Sequence, residues 1–243
     1  MHNLKFFKGK KIFITGHTGF KGSWLSFWLN RMGAKVMGIS DQIQTKPSFF
    51  EACKIEKHIN HNILDIRNFG KLEKKINSFK PDFIFHLAAQ ALVKRSYEEP
   101  LLTWQSNTLG TINLIEILRK FNKKCTAIII TSDKAYKNLE IKRGYHEDDI
   151  LAGVDPYSAS KSCADIAVQS YMNCYFKKKT KVRIAIARAG NVIGGGDWSN
   201  DRFIVDCIKS WMINKPAVIR SPYATRPWQH VLEALSGYIN LAI

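Results

Sequence analysis

The stretch KIFITGHTGFKGSWLSFWLNRM, residues 11–32, decides the fold. Residues 11–15 are a short apolar run ending at a glycine, which reads as a buried strand. Glycines follow at 16, 19 and 22, and then Trp24, Leu25, Phe27, Trp28 and Leu29 recur at helical spacing through 23–32. Strand, glycine-rich turn and helix in that order open a dinucleotide-binding βαβ unit. Glycine permits the tight turn and lets backbone N–H groups approach a pyrophosphate at the helix N-terminus. Gly16, Thr18, Gly19, Phe20 and Gly22 are therefore candidate cofactor-binding residues.

Working outward, apolar runs at 36–39, 62–64, 83–88, 126–131 and 182–187 read as strands, and the segments 69–79, 101–121 and 155–176 read as helices. This alternation predicts an α/β fold: a Rossmann-type, doubly wound parallel sheet with its ligands at the carboxyl ends of the strands. After Arg188 the pattern breaks into a glycine-rich loop at 189–198, a helix at 202–213, a short strand at 217–220 and a final helix from about His230. The expected division is a cofactor domain at 1–188 and a smaller substrate domain at 189–243. The final helix reaches the chain end without a cap, so the substrate domain is expected to be incomplete.

Composition narrows the class. The chain has 243 residues, 45% of them hydrophobic, enough for a sizeable core. Its apolar runs are too short and too often interrupted by charge to span a membrane. Phe6 and Phe7 lead into lysines rather than into a signal sequence. Five cysteines without a CxxC pair suit a reducing cytoplasm better than a disulfide framework or a zinc site. No HExxH occurs; His58 and His61 could share a helical face but read as surface residues, and no metal is expected. The net charge of +17 raises nucleic-acid binding, yet the lysines cluster at 71–75, 120–124 and 177–181, as on solvated helix ends. Such a basic field also suits a polyanionic small substrate, so neither nucleic acid nor membrane is expected as a partner.

Several residues gather on the ligand edge. Asp41, at the end of the second strand, can accept hydrogen bonds from an adenosine ribose and would repel a 2′-phosphate, which favours NAD. Asp65 and Ile66, after the third strand, and Leu87, Ala88 and Ala89, at the end of the fourth, fall on the same edge. Tyr157 and Lys161 stand one helical turn apart on one face. A nearby lysine cation favours the phenolate, which can then take a proton from a hydroxyl as hydride leaves carbon. Ser132, Asp133 and Lys134 follow the fifth strand directly, more acid–base capacity than a simple dehydrogenation needs.

With these motifs in place, TGHTGFKG (15–22), the Tyr157/Lys161 pair and RPWQHV (226–231) resemble the extended short-chain dehydrogenase/reductase family of nucleotide-sugar enzymes, the NAD-dependent epimerases and dehydratases. TSDKAY (131–136), DPYSASK (155–161), RAGNVIGGGDW (188–198) and RPWQHVLEAL (226–235) are similar to its branch of 4,6-dehydratases acting on CDP-glucose. Relatives acting on dTDP-glucose or GDP-mannose carry glutamate where this chain has Lys134.

The resemblance implies NAD as cofactor and a cycle in which Tyr157 deprotonates the 4-hydroxyl, Ser132 hydrogen-bonds that oxygen, Lys134 acts as base at carbon 5 and Asp133 protonates the departing 6-hydroxyl. A neutral Lys134 requires burial near Lys161. Asn107 would support the site through its amide, and Asn191, Arg202, Arg220 and Arg226 would bind the sugar nucleotide. The family also implies a homodimer or homotetramer built through 101–121 and 155–176, and a role in bacterial surface polysaccharides. Its members continue past the equivalent of residue 243. The alternatives are another nucleotide-sugar 4,6-dehydratase, an epimerase, or an inactive NAD-binding fragment.

Overall fold

The computed structural model describes residues 5–177 and 181–243. Six parallel strands form the central sheet: β1 (Lys11–Thr15), β2 (Lys35–Ser40), β3 (Asn60–Ile63), β4 (Phe83–His86), β5 (Cys125–Ile130) and β6 (Val182–Ala187), in spatial order β3-β2-β1-β4-β5-β6. The order reverses between β1 and β4, and that switch point opens the ligand crevice of a doubly wound sheet.

The helices are α1 (Phe20–Arg31), α2 (Phe49–Ala52), α3 (Phe69–Phe79), α4 (Val93–Glu98), α5 (Pro100–Trp104), α6 (Gly110–Lys120), α7 (Pro156–Tyr171), α8 (Phe203–Met212) and α9 (Val231–Ala242). Alternate residues of each strand serve opposite layers. Ile12, Ile14, Phe83, Phe85, Ile128 and Ile130 pack with Leu25 and Leu29 of α1 and with Val231, Leu235 and Ile239 of α9. Phe13, Ile39, Ile84, Ala127 and Ile129 pack with Leu72 and Ile76 of α3 and Leu114 and Leu118 of α6. Burial on both faces explains why these strands read as continuous apolar runs rather than alternating ones.

Three features differ from the sequence expectation. The single helix expected at 101–121 is α5 and α6 joined by a π turn, Gln105–Leu109. Residues 217–220 are not a strand: Val218 and Ile219 are exposed and pair with nothing regular. Pro216 removes one donor there, and no neighbouring strand supplies a ladder. The paired strands of this region are instead β7 (Asn191–Ile193) and β8 (Trp228–His230), parallel to one another and each three residues long. Among the described residues no helix is long and apolar enough to cross a membrane.

Candidate active site

The glycine-rich turn is built for close backbone approach. Gly16 has φ of +75°, and a Cβ there would lie 2.7 Å from the Ala88 nitrogen and 2.9 Å from the Leu87 carbonyl carbon. A Cβ on Gly22 would overlap the Gly16 carbonyl oxygen. The turn thus sits flush on the end of β4, where Ala88 N–H donates to Thr15 Oγ1 (3.1 Å). Gly19 caps α1 without any side-chain hydrogen bond, and the first helical turn contains no acid. Its N–H groups are left for an anion. These features fit the pyrophosphate of a dinucleotide.

Around the turn the polar side chains hold the strand ends. Thr18 Oγ1 donates to the Gln42 carbonyl (2.6 Å), and Thr18 N–H to Ser40 Oγ (3.2 Å). Asp41 is exposed beyond β2, accepting from Gln42 N–H (2.9 Å) and Gln44 Nε2 (3.1 Å). Asp65 is held by Arg67, whose Nε donates to it at 2.8 Å. Burial pushes this carboxyl up, but the Arg67 hydrogen bonds and charge outweigh it and leave it below the usual carboxylate range. Ile66 is buried against Gly110, where a Cβ would come within 2.5 Å of its Cδ1. Leu87, Ala88 and Ala89 are half-buried along the same edge.

Asn107, in the π turn, is a brace. Its Oδ1 accepts from Gln90 N–H (2.8 Å), and its Nδ2 donates to the Gln90 carbonyl (3.0 Å) and to Ser160 Oγ (2.9 Å). It ties the loop after β4 to α7 at Ser160, the residue before Lys161. His86, fully buried, continues the network to Thr15 Oγ1 (2.7 Å) and Thr111 Oγ1 (3.0 Å).

The segment 155–158 sets the tyrosine. Asp155 caps α7 in a reciprocal box with Ser158, and Pro156 occupies the first turn, a start worth about 1 kcal/mol over an uncapped one. Tyr157 is thereby fixed in the first turn, 9% exposed, with its phenol near Ser132, just beyond the end of β5. Burial raises the phenol above its ordinary value, while the Ser132 hydrogen bond and the Lys21 and Arg202 charges oppose the rise. Lys161, expected to favour the phenolate, donates to the Ile130 carbonyl at 3.1 Å. Burial, followed by the Lys21 charge, lowers it to about 7.

Ser132 Oγ lies 3.1 Å from Asp133 Oδ1, and Asp133 N–H donates to the Ala189 carbonyl (3.2 Å). A short 3₁₀ turn, Asp133–Ala135, follows. It buries Ala135 and turns Lys134 outward, so the expected burial of Lys134 beside Lys161 is not observed. Gly190 faces Asp133 and Pro227, and a Cβ there would lie 3.4 Å from Asp133 Oδ2. The chain after β6 and the segment before β8 therefore meet at the acid.

Asn191 opens β7, half-buried. Arg202 precedes α8 with its Nε 3.4 Å from Asp197 Oδ2. Arg220 is exposed, 3.6 Å from Asp201 and 3.5 Å from Asp206. Arg226 is exposed and donates only to the adjacent Thr225 carbonyl among the hydrogen bonds of the described residues.

Sequence reasoning missed Lys21, whose charge reaches both Tyr157 and Lys161 and whose Nζ donates to Tyr238 (3.2 Å). Its place inside the glycine motif was the available signal. His61 lies on β3 and meets the buried His17 (2.6 Å) rather than His58. Among the described residues no group of three or more His, Cys, Asp or Glu is placed to hold a metal.

A Rossmann sheet with an open glycine turn facing a serine, an aspartate and a tyrosine defines the class of dinucleotide-dependent enzymes that act on hydroxyl-bearing substrates. A family model described as GDP-mannose 4,6 dehydratase matches residues 13–241. The chain belongs to this NAD-dependent epimerase/dehydratase family. It is 47% identical over its whole length to the CDP-glucose 4,6-dehydratase of Salmonella typhimurium, of which it covers 68%. It is 28% identical to the dTDP-D-glucose 4,6-dehydratase of Dictyostelium discoideum, over 94% of this chain and 54% of that one. Among solved structures, an epimerase from Methanothermobacter thermautotrophicus superposes with a TM-score of 0.86 at 22% identity, covering 99% of this chain and 70% of that one. The dTDP-glucose 4,6-dehydratase of Bacillus anthracis, in complex with NAD, gives 0.81 at 21% identity over 96% of this chain and 72% of that one.

Proposed function

We propose that this chain dehydrates CDP-glucose to CDP-4-dehydro-6-deoxyglucose, with NAD as a cofactor that is regenerated in each cycle. The observation that carries the reading is the meeting of Tyr157, Ser132 and Asp133 at the carboxyl edge of β5, on a chain 47% identical to a CDP-glucose 4,6-dehydratase. Held at the glycine turn, NAD would supply the hydride acceptor for carbon 4 and the hydride donor for carbon 6.

Tyr157 removes the 4-hydroxyl proton while Ser132 hydrogen-bonds the same oxygen. The resulting ketone acidifies the carbon 5 proton, and Lys134 on the 3₁₀ turn is the base for it once bound substrate covers its exposed side chain and excludes water. Asp133 protonates the 6-hydroxyl, which leaves as water, and carbon 5 takes a proton back as hydride reaches carbon 6. Gly16, Thr18, Gly19, Phe20, Gly22, Asp41, Asp65, Ile66, Leu87, Ala88 and Ala89 line the cofactor side. Lys161 supports the ribose edge and Asn107 holds the frame.

Asn191, Arg202, Arg220 and Arg226 serve the nucleotide diphosphate; the exposed guanidinium of Arg226 suits its oxygens. Residues 1–188, with α9 packed on their sheet, form the cofactor unit, and the rest of 189–243 belongs to the substrate side. Exposed Leu101 of α5, Leu109 of the π turn and Ile166 of α7 support a homodimer or homotetramer through the 101–121 and 155–176 segments. The setting that fits is bacterial cytoplasm, supplying deoxysugars for the O-antigen of lipopolysaccharide.

The test is incubation of purified protein with CDP-glucose and catalytic NAD. The expected result is a 4-keto-6-deoxy product without net NADH, abolished in Tyr157→Phe while that variant still binds NAD. Product from dTDP-glucose or GDP-mannose, and none from CDP-glucose, would reassign the substrate.

A further inference from the structure

Between the Ser132-Asp133-Lys134 turn and Tyr157 the chain makes a long excursion with little regular structure. It is closed by Tyr136 pairing with Leu151 in an isolated antiparallel bridge. Lys137 N–H donates to the Ile150 carbonyl (2.8 Å), and Ala152 N–H to the Ala135 carbonyl (3.0 Å). Arg188, at the end of β6, anchors this strap to the sheet. Its Nε and Nη2 fork onto Asp165 at 2.7 and 2.8 Å, while Nη1 donates to Tyr136 OH (2.8 Å) and to the Glu147 carbonyl (2.8 Å).

The guanidinium also lies over the Tyr136 ring, 4.9 Å from its centroid. Asp165 is fully buried on α7, one turn beyond Lys161, and accepts in addition from Thr131 Oγ1 (2.9 Å) and Gln169 Nε2 (2.7 Å). One planar cation thus joins the ends of β5 and β6, the body of α7 and two points of the strap. A buried pair of this kind gives little net stability over packed apolar residues, whereas its directional bonds fix geometry.

We infer that Arg188 is a positioning residue for the elimination half of the reaction, holding Asp133 and Lys134 in register with Tyr157 through Tyr136 and Glu147. The inference rests on the proposed dehydratase function. Oxidation at carbon 4 uses Tyr157, held in α7, and Ser132, which lies two residues beyond β5 and caps the turn at its sheet end. Elimination uses Asp133 and Lys134, whose turn runs directly into Tyr136. A loosened strap therefore slows elimination more than oxidation, and reduced cofactor builds up.

Two variants test this. Tyr136→Phe keeps the ring beneath the guanidinium and removes only the acceptor; Arg188→Lys keeps the charge and removes the fork. The first readout is hydrogen exchange of the Lys137 and Ala152 amides in protein without substrate, expected to rise about tenfold while β5 amides are unchanged. The second is nicotinamide absorbance during turnover of CDP-glucose. Product formation is expected to fall about tenfold in Tyr136→Phe, as for loss of a hydrogen bond to a charged group, with NADH accumulating. Unchanged exchange at those two amides, or product formation slowed without NADH accumulation, would overturn the inference. A wild-type protein that dehydrates no nucleotide sugar refutes the functional reading and this inference with it; an active wild type with an indifferent Tyr136→Phe refutes the strap alone.

Discussion

Gly22→Ala sets two opposed effects against each other at one atom. Alanine is favoured over glycine inside a helix by about 1 kcal/mol, and Gly22 lies in α1. Against this, the new Cβ would overlap the Gly16 carbonyl oxygen and lie 2.8 Å from the Gly16 carbonyl carbon and 2.9 Å from His17 Cα. All three are backbone atoms of a turn pressed on Ala88, so no side chain can swing aside. Relief requires α1 to move away from β1, and overpacking of that order costs about 3 kcal/mol, the upper end of its usual range. The net loss is then about 2 kcal/mol, or about 4–8 °C in Tm for a chain of this size.

Gly237→Ala supplies the control: it lies in α9, solvent-exposed, with nothing within 4 Å of its added Cβ. Only the propensity gain acts there, and its Tm should rise by about 2 °C. Thermal unfolding of both variants, with NAD titration of Gly22→Ala, makes the comparison. The reasoning fails if Gly22→Ala is stabilised in parallel with Gly237→Ala, or if it binds NAD as tightly as the wild type.

Three further outcomes can be measured directly. Lys161 falls from 10.5 to about 7 on folding, so between those values the unfolded chain binds more protons and stability rises with pH. The Tm advantage of Lys161→Met over wild type should accordingly shrink from pH 7 towards pH 10, and a gap constant with pH would contradict it. His86 and His17 are lowered from 6.5 to about 3 and about 4, chiefly by burial. Each therefore removes stability as pH falls below 6.5, at up to about 1.4 kcal/mol per pH unit; urea unfolding of His17→Gln should show a shallower acid limb than wild type. Burial raises the Cys125 thiol to about 12, whereas Cys174 is exposed. A thiol reagent at pH 8 should modify Cys174 within the folded protein and reach Cys125 only on unfolding.

Much of the fold was legible because the sheet is buried on both faces. Runs such as 83–85 and 127–130 carry no polar interruption, and glycines at 16, 19 and 22 mark the first crossover. The strand expected at 217–220 failed for the complementary reason: an apolar pattern records hydrophobicity but not whether a partner strand lies alongside. β7 and β8, three residues each, are too short for any period to register, and α4 is short and largely polar. At the site, the types and order of Ser132, Asp133, Tyr157 and Lys161 could be read from their places at strand ends and in a helical turn. The outward turn of Lys134 and the pairing of Asp165 with Arg188 could not, because both depend on how separate elements meet.

The bond from Lys21 to Tyr238 spans 217 positions of sequence. Lys21 stands within the glycine turn, and Tyr238 lies on the helix that closes the same face of the sheet. During synthesis the cofactor side would emerge early and wait, with Ile12, Leu25 and Leu29 exposed, until α9 had left the ribosome. Closure of that face is a late, long-range step in folding. Chaperone dependence should therefore track the arrival of α9 rather than the completion of β6.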